Sequence, residues 1–489
     1  MIGSMIRGLP LFLISFVLTA GDLTSDLAAR RARLMAQLGP ETLLLVRGAA
    51  ARNYSLDVSY EYRQENNFYY LTGIELPDAA LVLMPGATAR RELLFVPERN
   101  PEREHWTGRL PSYEDAVKLS GVEAVLNISE LEPFLSRVLS GRPYAAHADR
   151  YKPLTRDFDP FLERVRSGQG RLAVVLGSLP SLSGEIDPTL ELANRIRERF
   201  AGVSLWDATL LVHRQRKTKS DYEMDLLRRS AEISSAAHRA GMQAARPGAY
   251  EYTVTAAIEQ VYRDRGAMGW GYPSIVGSGP NATILHYNSG KRRLDAGELL
   301  LVDAAANYQY YTVDITRTYP VSGQFSEAQR DLYQIVLAAQ DAARTVAGPG
   351  VTVYDVHQKT VEVIKAGLLR LGLITDTAGE EYRTWYTHGS VHYLGMDVHD
   401  VGDSREPLAP GQSFVIEPGI YIRENGLDSL PKTEKNQAFI EKVRPAFEKY
   451  RGIGVRVEDS FLLTDQGLED LSASVPRTIE EIESFLAKR

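Results

Sequence analysis

Apolar and polar positions divide the chain into two stretches of different character. From about Asp22 to Arg216, short apolar runs predict strands at Thr42–Val46, Phe68–Leu71, Ala80–Met84 and Leu93–Val96, with helical patterns between them. Pro85 with Gly86, Gly141 to Pro143 and the RSGQG stretch at 166–170 read as loops. Alternating strands and helices predict an α/β domain. Near residues 205–220 the pattern changes. A basic cluster, HRQRKTK, is followed by Ser220 as a helix N-cap with Glu223 three residues on. Leu226, Leu227, Ile233 and Met242 then continue at helical spacing. The basic cluster reads as the solvated face of a linker, and the boundary between two domains, 22–206 and 207–489, is placed here.

The second stretch contains a diverged internal repeat. A-R-P-G at Ala245–Gly248 and A-G-P-G at Ala347–Gly350 each precede a helical pattern. Further on, an apolar strand ends in a carboxylate six residues after a turn glycine in both halves, Gly297 before Asp303 and Gly411 before Glu417. Two related halves that each deliver a carboxylate predict a pseudo-twofold domain with a site between the halves. In the first half, Tyr308, Tyr310, Thr312, Asp314 and Thr316 alternate along what reads as one strand, the period of two placing them on a common face. The tyrosines at 308, 310 and 311 read as strand packing.

Composition limits the chemistry. The 489 residues are 44% hydrophobic and 24% charged, which suits a globular chain with a sizeable core. A net charge of −7 argues against nucleic acid or an anionic membrane as the main partner. With no cysteine there is no disulfide, thiolate metal site or cysteine nucleophile, so His, Asp and Glu remain as strong metal ligands. Arg7, an apolar run to Ala20 and a small residue before Gly21 lead to the expectation of a signal peptide over residues 1–20 and export; cytoplasmic residence is the alternative. No segment is apolar enough to predict a stable membrane span.

Four candidate ligands emerge: Asp303 and Asp314 from one half, Glu417 and Glu458 from the other, Glu458 closing the strand GIGVRVED. Carboxylates gathered on buried strands repel unless cations, protons or arginines neutralise them. An oxygen-rich, thiol-free site favours hard to borderline ions such as Mn²⁺, Co²⁺ or Zn²⁺. The nitrogen ligand is expected within HGSVHYLGMDVHD, where His388, His392 and His399 crowd into residues 388–400. His388 and His392 have zincin spacing, but Gly389 stands where that motif needs glutamate. His286, in the glycine-containing segment SIVGSGPNATILHYNSG, is a further candidate.

The set VDAAANYQYYTVDITRT, HGSVHYLGMDVHDVG, FVIEPGIYI and GIGVRVEDSFLLT resembles the pita-bread metallopeptidases, specifically aminopeptidase P and its relative prolidase. The N-terminal segment RNYSLDVSYEYRQENNFYYLTGIELPDAALVL and the EHWTGR segment are similar to the N-terminal domain of aminopeptidase P. The resemblance spans nearly the whole chain after the leader. It implies an α/β (α+β) protein, with an α/β N-terminal domain followed by a pita-bread catalytic domain.

It further implies two divalent ions, Mn²⁺ before Co²⁺ or Zn²⁺. Asp303 would hold one ion through both oxygens. Asp314 and Glu458 would bridge the two, and His392 and Glu417 would complete the other. Glu417 would also shuttle a proton. His286, His388 and His399 would orient the scissile carbonyl and stabilise the oxyanion, with Arg456 bracing the carboxylates. Tyr421 would line the pocket and Asp57 would sit near the substrate's amino end. The implied reaction is removal of the N-terminal residue from peptides with proline second, the alternative being cleavage of Xaa-Pro dipeptides only. A metal-free binding protein of the same fold is a third reading. A homo-oligomer, dimer or tetramer, is implied. The stretch between Glu417 and Glu458, with a charged helical pattern at 424–450, is longer than the family leads one to expect and is a candidate for reshaping the cleft mouth or an oligomer contact.

Overall fold

The computed structural model describes residues 20–144, 154–177 and 186–489; the expected signal peptide lies outside them except for Ala20. The chain forms two compact units, Met1–Ala208 and Thr209–Arg489. No helix of the described residues is long and apolar enough to cross a membrane.

Unit 1 is built on a mixed six-stranded sheet. Its strands are β1 (Thr42–Arg47), β4 (Ala80–Leu83), β5 (Glu92–Val96), β6 (Ala124–Asn127), β7 (Gly170–Val175) and β8 (Val203–Asp207), in the order β6-β5-β4-β1-β7-β8. A two-stranded hairpin of β2 (Asn53–Ser55) and β3 (Val58–Ser59) stands apart from it. The apolar runs at 42–46, 80–84 and 93–96 become the fully buried central strands, β4 pairing antiparallel with both β1 and β5. The run at Phe68–Leu71 does not form a strand. It lies in the helix Asn66–Thr72, because the Glu65 carboxylate accepts the Phe68 N–H at the start and Gly73 closes the end in a left-handed conformation. A short apolar run has no period long enough to tell strand from helix, and here the caps decide.

Unit 2 repeats one plan twice. The helices Asp221–Ala244 and Glu251–Asp264 precede β9 (Gly269–Trp270), β10 (Ile275–Ser278), β11 (Leu299–Asp303), β12 (Ala306–Tyr308), β13 (Tyr311–Thr312) and β14 (Thr316–Pro320). The helices Glu327–Val346 and Val353–Arg370 precede β15 (Ser413–Ile416), β16 (Gly419–Tyr421), β17 (Gly454–Arg456), β18 (Asp459–Thr464) and β19 (Gly467–Asp470). Each half contains an antiparallel three-stranded sheet, β10-β11-β14 and β15-β18-β19. Matching glycines mark the repeat: Gly248 and Gly350 have φ of 91° and 87°, Gly297 and Gly411 have 85° and 86°, values that other residues rarely adopt. The halves join where Thr316 and Glu458 form an antiparallel bridge, with the Glu458 N–H donating to the Thr316 carbonyl at 3.1 Å.

Two expectations are corrected in this unit. The alternation from Tyr308 to Thr316 is not one strand. Gln309 and Tyr310 both have positive φ, 48° and 73°, and turn the chain into the β12–β13 hairpin, so Asp314 falls between strands. Nor is the basic cluster at 213–219 a solvated face. The guanidinium of Arg216 and the ammonium of Lys219 are buried and both bind Asp400, at 2.6 Å and 3.0 Å, while Lys217 reaches Glu406 at 2.5 Å. A buried cation is tolerated only with such a partner, which sequence spacing does not reveal. The extra stretch before Glu458 is helical as expected, over Glu434–Tyr450, and its Phe439, Val443, Phe447 and Tyr450 enter the core. Phe447 stacks on Trp385 with centroids 5.9 Å apart, and the Trp385 carbonyl accepts the Tyr421 N–H at 2.8 Å. That face of the inserted helix supports β16 from behind.

Candidate metal centre

Asp303 ends β11, where the buried run Leu299–Val302 carries it to the rim of the sheet. Arg456, two residues before Glu458, donates from Nη2 to Asp303 Oδ2 at 2.5 Å. Asp314 is held by its backbone: its N–H donates to Ser460 Oγ, whose hydroxyl donates to the Asp314 carbonyl. Glu417 follows β15, and the segment Ser390–Leu394 runs beside that strand. The Glu417, Val415 and Leu394 N–H groups donate to Ser390, His392 and Ser413 carbonyls at 2.8, 3.0 and 2.9 Å. This register sets His392 beside Glu417.

The expected metal residues converge. Asp303, Asp314 and Glu458 bring ligand oxygens within 4.8 Å of one another, and so do His392, Glu417 and Glu458. Glu458 belongs to both trios. A third grouping, Asp314, His392 and His399, overlaps them. The His392 Nδ1–H donates to the Tyr393 carbonyl at 3.2 Å, which leaves the lone pair of Nε2 facing Glu417 Oε1 at 3.4 Å and Asp314 Oδ2 at 3.6 Å. One oxygen of Glu458 accepts the Thr316 hydroxyl at 2.6 Å; the other is buried without a hydrogen-bond partner. Lone pairs facing lone pairs, and an orphaned carboxylate oxygen in their midst, fit a divalent cation and fit little else.

The electrostatics agree. Burial first, then the charge of neighbouring carboxylates, raises Asp314 and Glu417 well above the usual carboxylate range and pushes Glu458 up to about 8. Burial likewise lowers His392 to about 4 and His388 to about 3, keeping both imidazoles neutral, as ligation or hydrogen-bond acceptance at nitrogen requires.

A second chain of contacts runs behind the carboxylates. Arg456 Nη1 donates to the Tyr421 hydroxyl at 3.1 Å and Nε to Thr316 Oγ1 at 3.0 Å. His388 donates from Nδ1 to the Gly389 carbonyl at 2.7 Å, so its Nε2 accepts from Tyr421 at 2.8 Å. The rings of His392 and His399 meet edge to face at 4.4 Å. His399 is exposed and has a lowered pKa, from burial of part of its ring and then from the proximity of His286. His388, 3.6 Å from Glu417, and His399 therefore border the same cluster, while His286 is tied to it only through its electrostatic effect on His399. Asp57 lies on unit 1, exposed in the turn between β2 and β3, whereas the cluster is formed by residues of unit 2.

Sequence reasoning missed Tyr272. Its phenol is hydrogen-bonded to Asp303 Oδ1 at 2.6 Å and also to Asp314 Oδ1. No spacing signal marks it: it is one tyrosine in a short loop between β9 and β10. Thr316, which links Arg456 to Glu458, was visible only as a β-branched strand residue. Asp400 was visible only as the residue after His399.

Two trios of ligand groups that share Glu458, one of them including the imidazole of His392, define a candidate divalent-metal site in a duplicated α/β framework. The model of metallopeptidase family M24 matches residues 225–465, and that of the aminopeptidase P N-terminal domain matches residues 27–146. The Xaa-Pro aminopeptidase of Escherichia coli K12 is 34% identical over 468 residues, 94% of this chain and 96% of that relative. That of Haemophilus influenzae is 32% identical, with the same coverage. Among solved structures, Pseudomonas aeruginosa aminopeptidase PepP superimposes with a TM-score of 0.78 at 33% identity, covering 95% of this chain and 98% of its own. E. coli aminopeptidase P with the inhibitor Pro-Leu gives 0.78 at 30% identity with the same coverage. The chain belongs to metallopeptidase family M24, with an aminopeptidase P N-terminal domain and a pita-bread catalytic domain.

Proposed function

We infer that this protein is a metal-dependent Xaa-Pro aminopeptidase, an exopeptidase that releases the N-terminal residue from peptides with proline in the second position. The observation that carries this reading is that relatives named for that activity align over nearly the whole chain, and the gathering of all five candidate ligand positions agrees with it. A binding protein derived from this fold would be expected to have lost ligands.

Asp303, Asp314, His392, Glu417 and Glu458 would hold two divalent ions. Four carboxylates and one imidazole suit Mn²⁺ best, Co²⁺ or Zn²⁺ less well. When bound, the ions supply Lewis-acid polarisation of the scissile carbonyl and a water of lowered pKa. Glu417, 3.6 Å from His388 and 3.4 Å from His392, is suited to carry a proton toward the leaving proline nitrogen. His286 and His399 suit the orientation of the carbonyl and hydrogen bonding to the developing oxyanion. Arg456 and Tyr421 keep Asp303 and His388 in register. Asp57 is the candidate for the substrate's free amino end. A homodimer or tetramer and export through the leader complete the proposal; light scattering and N-terminal sequencing of the mature chain test these two points.

The function is tested with a substrate panel, with and without added Mn²⁺, of an Xaa-Pro dipeptide, Xaa-Pro tripeptides and longer peptides. Metal-dependent release of residue one from the tripeptides and longer peptides is expected. Cleavage of the dipeptide alone would move the reading to prolidase, and no metal-dependent cleavage would leave a binding protein.

A further inference from the structure

Asp303 and Asp314 are ligands on a segment that leaves its sheet between them. β11 pairs with β14 up to Asp303 and Thr316, and the intervening residues fold away as the β12–β13 hairpin. Their buried backbone groups need partners, and an error of 1 Å at either aspartate would spoil a site that depends on several oxygens meeting.

Those partners come from one face of the helix Asp221–Ala244, at positions four residues apart. His238 Nε2 donates to the Ala304 carbonyl at 2.9 Å. Ser234 Oγ accepts the Ala306 N–H at 2.9 Å while its proton goes to the Ser230 carbonyl. Ser230 Oγ donates to the Ala306 carbonyl at 2.8 Å and accepts the Val313 N–H at 3.3 Å, so one hydroxyl ties both strands of the hairpin. All three side chains are buried. The gripped residues are the ones that matter for spacing: Ala304 directly follows Asp303, and Val313 directly precedes Asp314. The chemistry of His238 suits a fixed donor. Burial, then the charge of Arg317, lowers its pKa to about 4, and Nδ1 is buried without a hydrogen-bond partner, so the neutral ring carries its proton on Nε2.

We propose that His238, Ser234 and Ser230 are positioning residues for the metal centre, setting the separation of Asp303 and Asp314 by gripping the backbone beside each. The inference rests on the two-ion reading. It differs from a packing role because these residues bond the backbone next to the ligands, so their loss should change metal affinity out of proportion to stability.

The test uses full-length protein stripped of metal and titrated calorimetrically with Mn²⁺, with kinetics at saturating Mn²⁺ and thermal unfolding as the control. Wild type is measured first, and failure to take up Mn²⁺ there overturns the two-ion reading itself. His238→Leu and Ser230→Ala are expected to remain folded, to bind Mn²⁺ at least ten-fold more weakly, and to lose kcat with KM within two-fold of wild type. His238→Gln and Ser230→Thr, which restore a donor, are expected to recover most of both. Should His238→Leu fail to fold, Ser230→Ala, which removes a single oxygen, carries the test. Wild-type affinity and kcat in the folded variants, whatever the loss in melting temperature, overturn the proposal.

Discussion

Arg456 and Asp303 are joined at 2.5 Å inside the protein, and the same guanidinium spans to Tyr421 and Thr316. Through those two it reaches His388 and Glu458, so one planar fork sets the relative position of groups from both halves of the domain. A lysine carries the charge without the fork. Arg456→Lys is therefore expected to lower kcat/KM by about 100-fold, roughly 2.7 kcal/mol of transition-state stabilisation. Steady-state kinetics on an Xaa-Pro tripeptide measures it, and a loss below five-fold would mean that charge alone suffices.

Tyr272 ties Asp303 to Asp314 through its phenol, a contact separate from those of the helix Asp221–Ala244. Removal of a hydrogen bond to a ligating carboxylate typically costs 10- to 100-fold in metal affinity. Tyr272→Phe should fall in that range by Mn²⁺ titration, with the fold unchanged by circular dichroism. Unaltered affinity would show that the phenol is only a lining group.

Glu417→Ala and Asp314→Ala should each abolish peptide cleavage while leaving the purified proteins folded. Asp314 occurs in a trio with Asp303 and Glu458 and Glu417 in one with His392 and Glu458, so either loss opens one trio. Retained turnover in either variant would refute the ligand assignment.

Chelation should destabilise the catalytic unit. Without cations, burial and the charge of neighbouring carboxylates hold the pKa values of Asp314, Glu417 and Glu458 up, and any ion that binds only the folded state stabilises it by mass action. With Mn²⁺ at about 100 times its dissociation constant the gain is about 2.7 kcal/mol. Thermal scans with EDTA and with Mn²⁺ should differ by several degrees; coincident scans would count against an ion in this site.

Asp400 anchors the loop that carries His392 and His399. Burial alone would raise its pKa, but Lys219 and Arg216 bring it below the ordinary aspartate value. A depressed carboxylate contributes stability above its unfolded pKa, about 3.9, and that contribution disappears as pH falls through the folded value. Asp400→Asn removes the carboxylate that faces buried Lys219 and one of the two that face buried Arg216, and should cost about 3–5 kcal/mol at pH 7. The deficit relative to wild type should shrink below about pH 4. Urea unfolding at pH 7 and pH 3.5 checks both, and a deficit independent of pH would exclude the ion pair as its cause.

Local sequence determined a good deal. The buried strands β1, β4, β5 and β11 are legible because four or five consecutive apolar residues have nowhere to go but a covered sheet, and Ser220 with Glu223 marks a helix start because a capping box is a contact three residues long. The repeat was legible because a turn glycine stands six residues before the carboxylate in both halves, Gly297 before Asp303 and Gly411 before Glu417. The family resemblance named Asp303, Asp314, His392, Glu417 and Glu458 together because each lies in a stretch the family shares. What only the tertiary structure decided involves partners far apart in the chain. That Arg216 and Lys219 are buried depends on Asp400, more than 180 residues away. That Tyr272 belongs to the site depends on where β10 delivers it. That Asp314 stands between strands depends on two residues, Gln309 and Tyr310, adopting positive φ that their identities do not announce. Periodicity records which face of an element is buried; it carries no information about which distant polar group compensates a buried charge, because that pairing is a property of the assembled core.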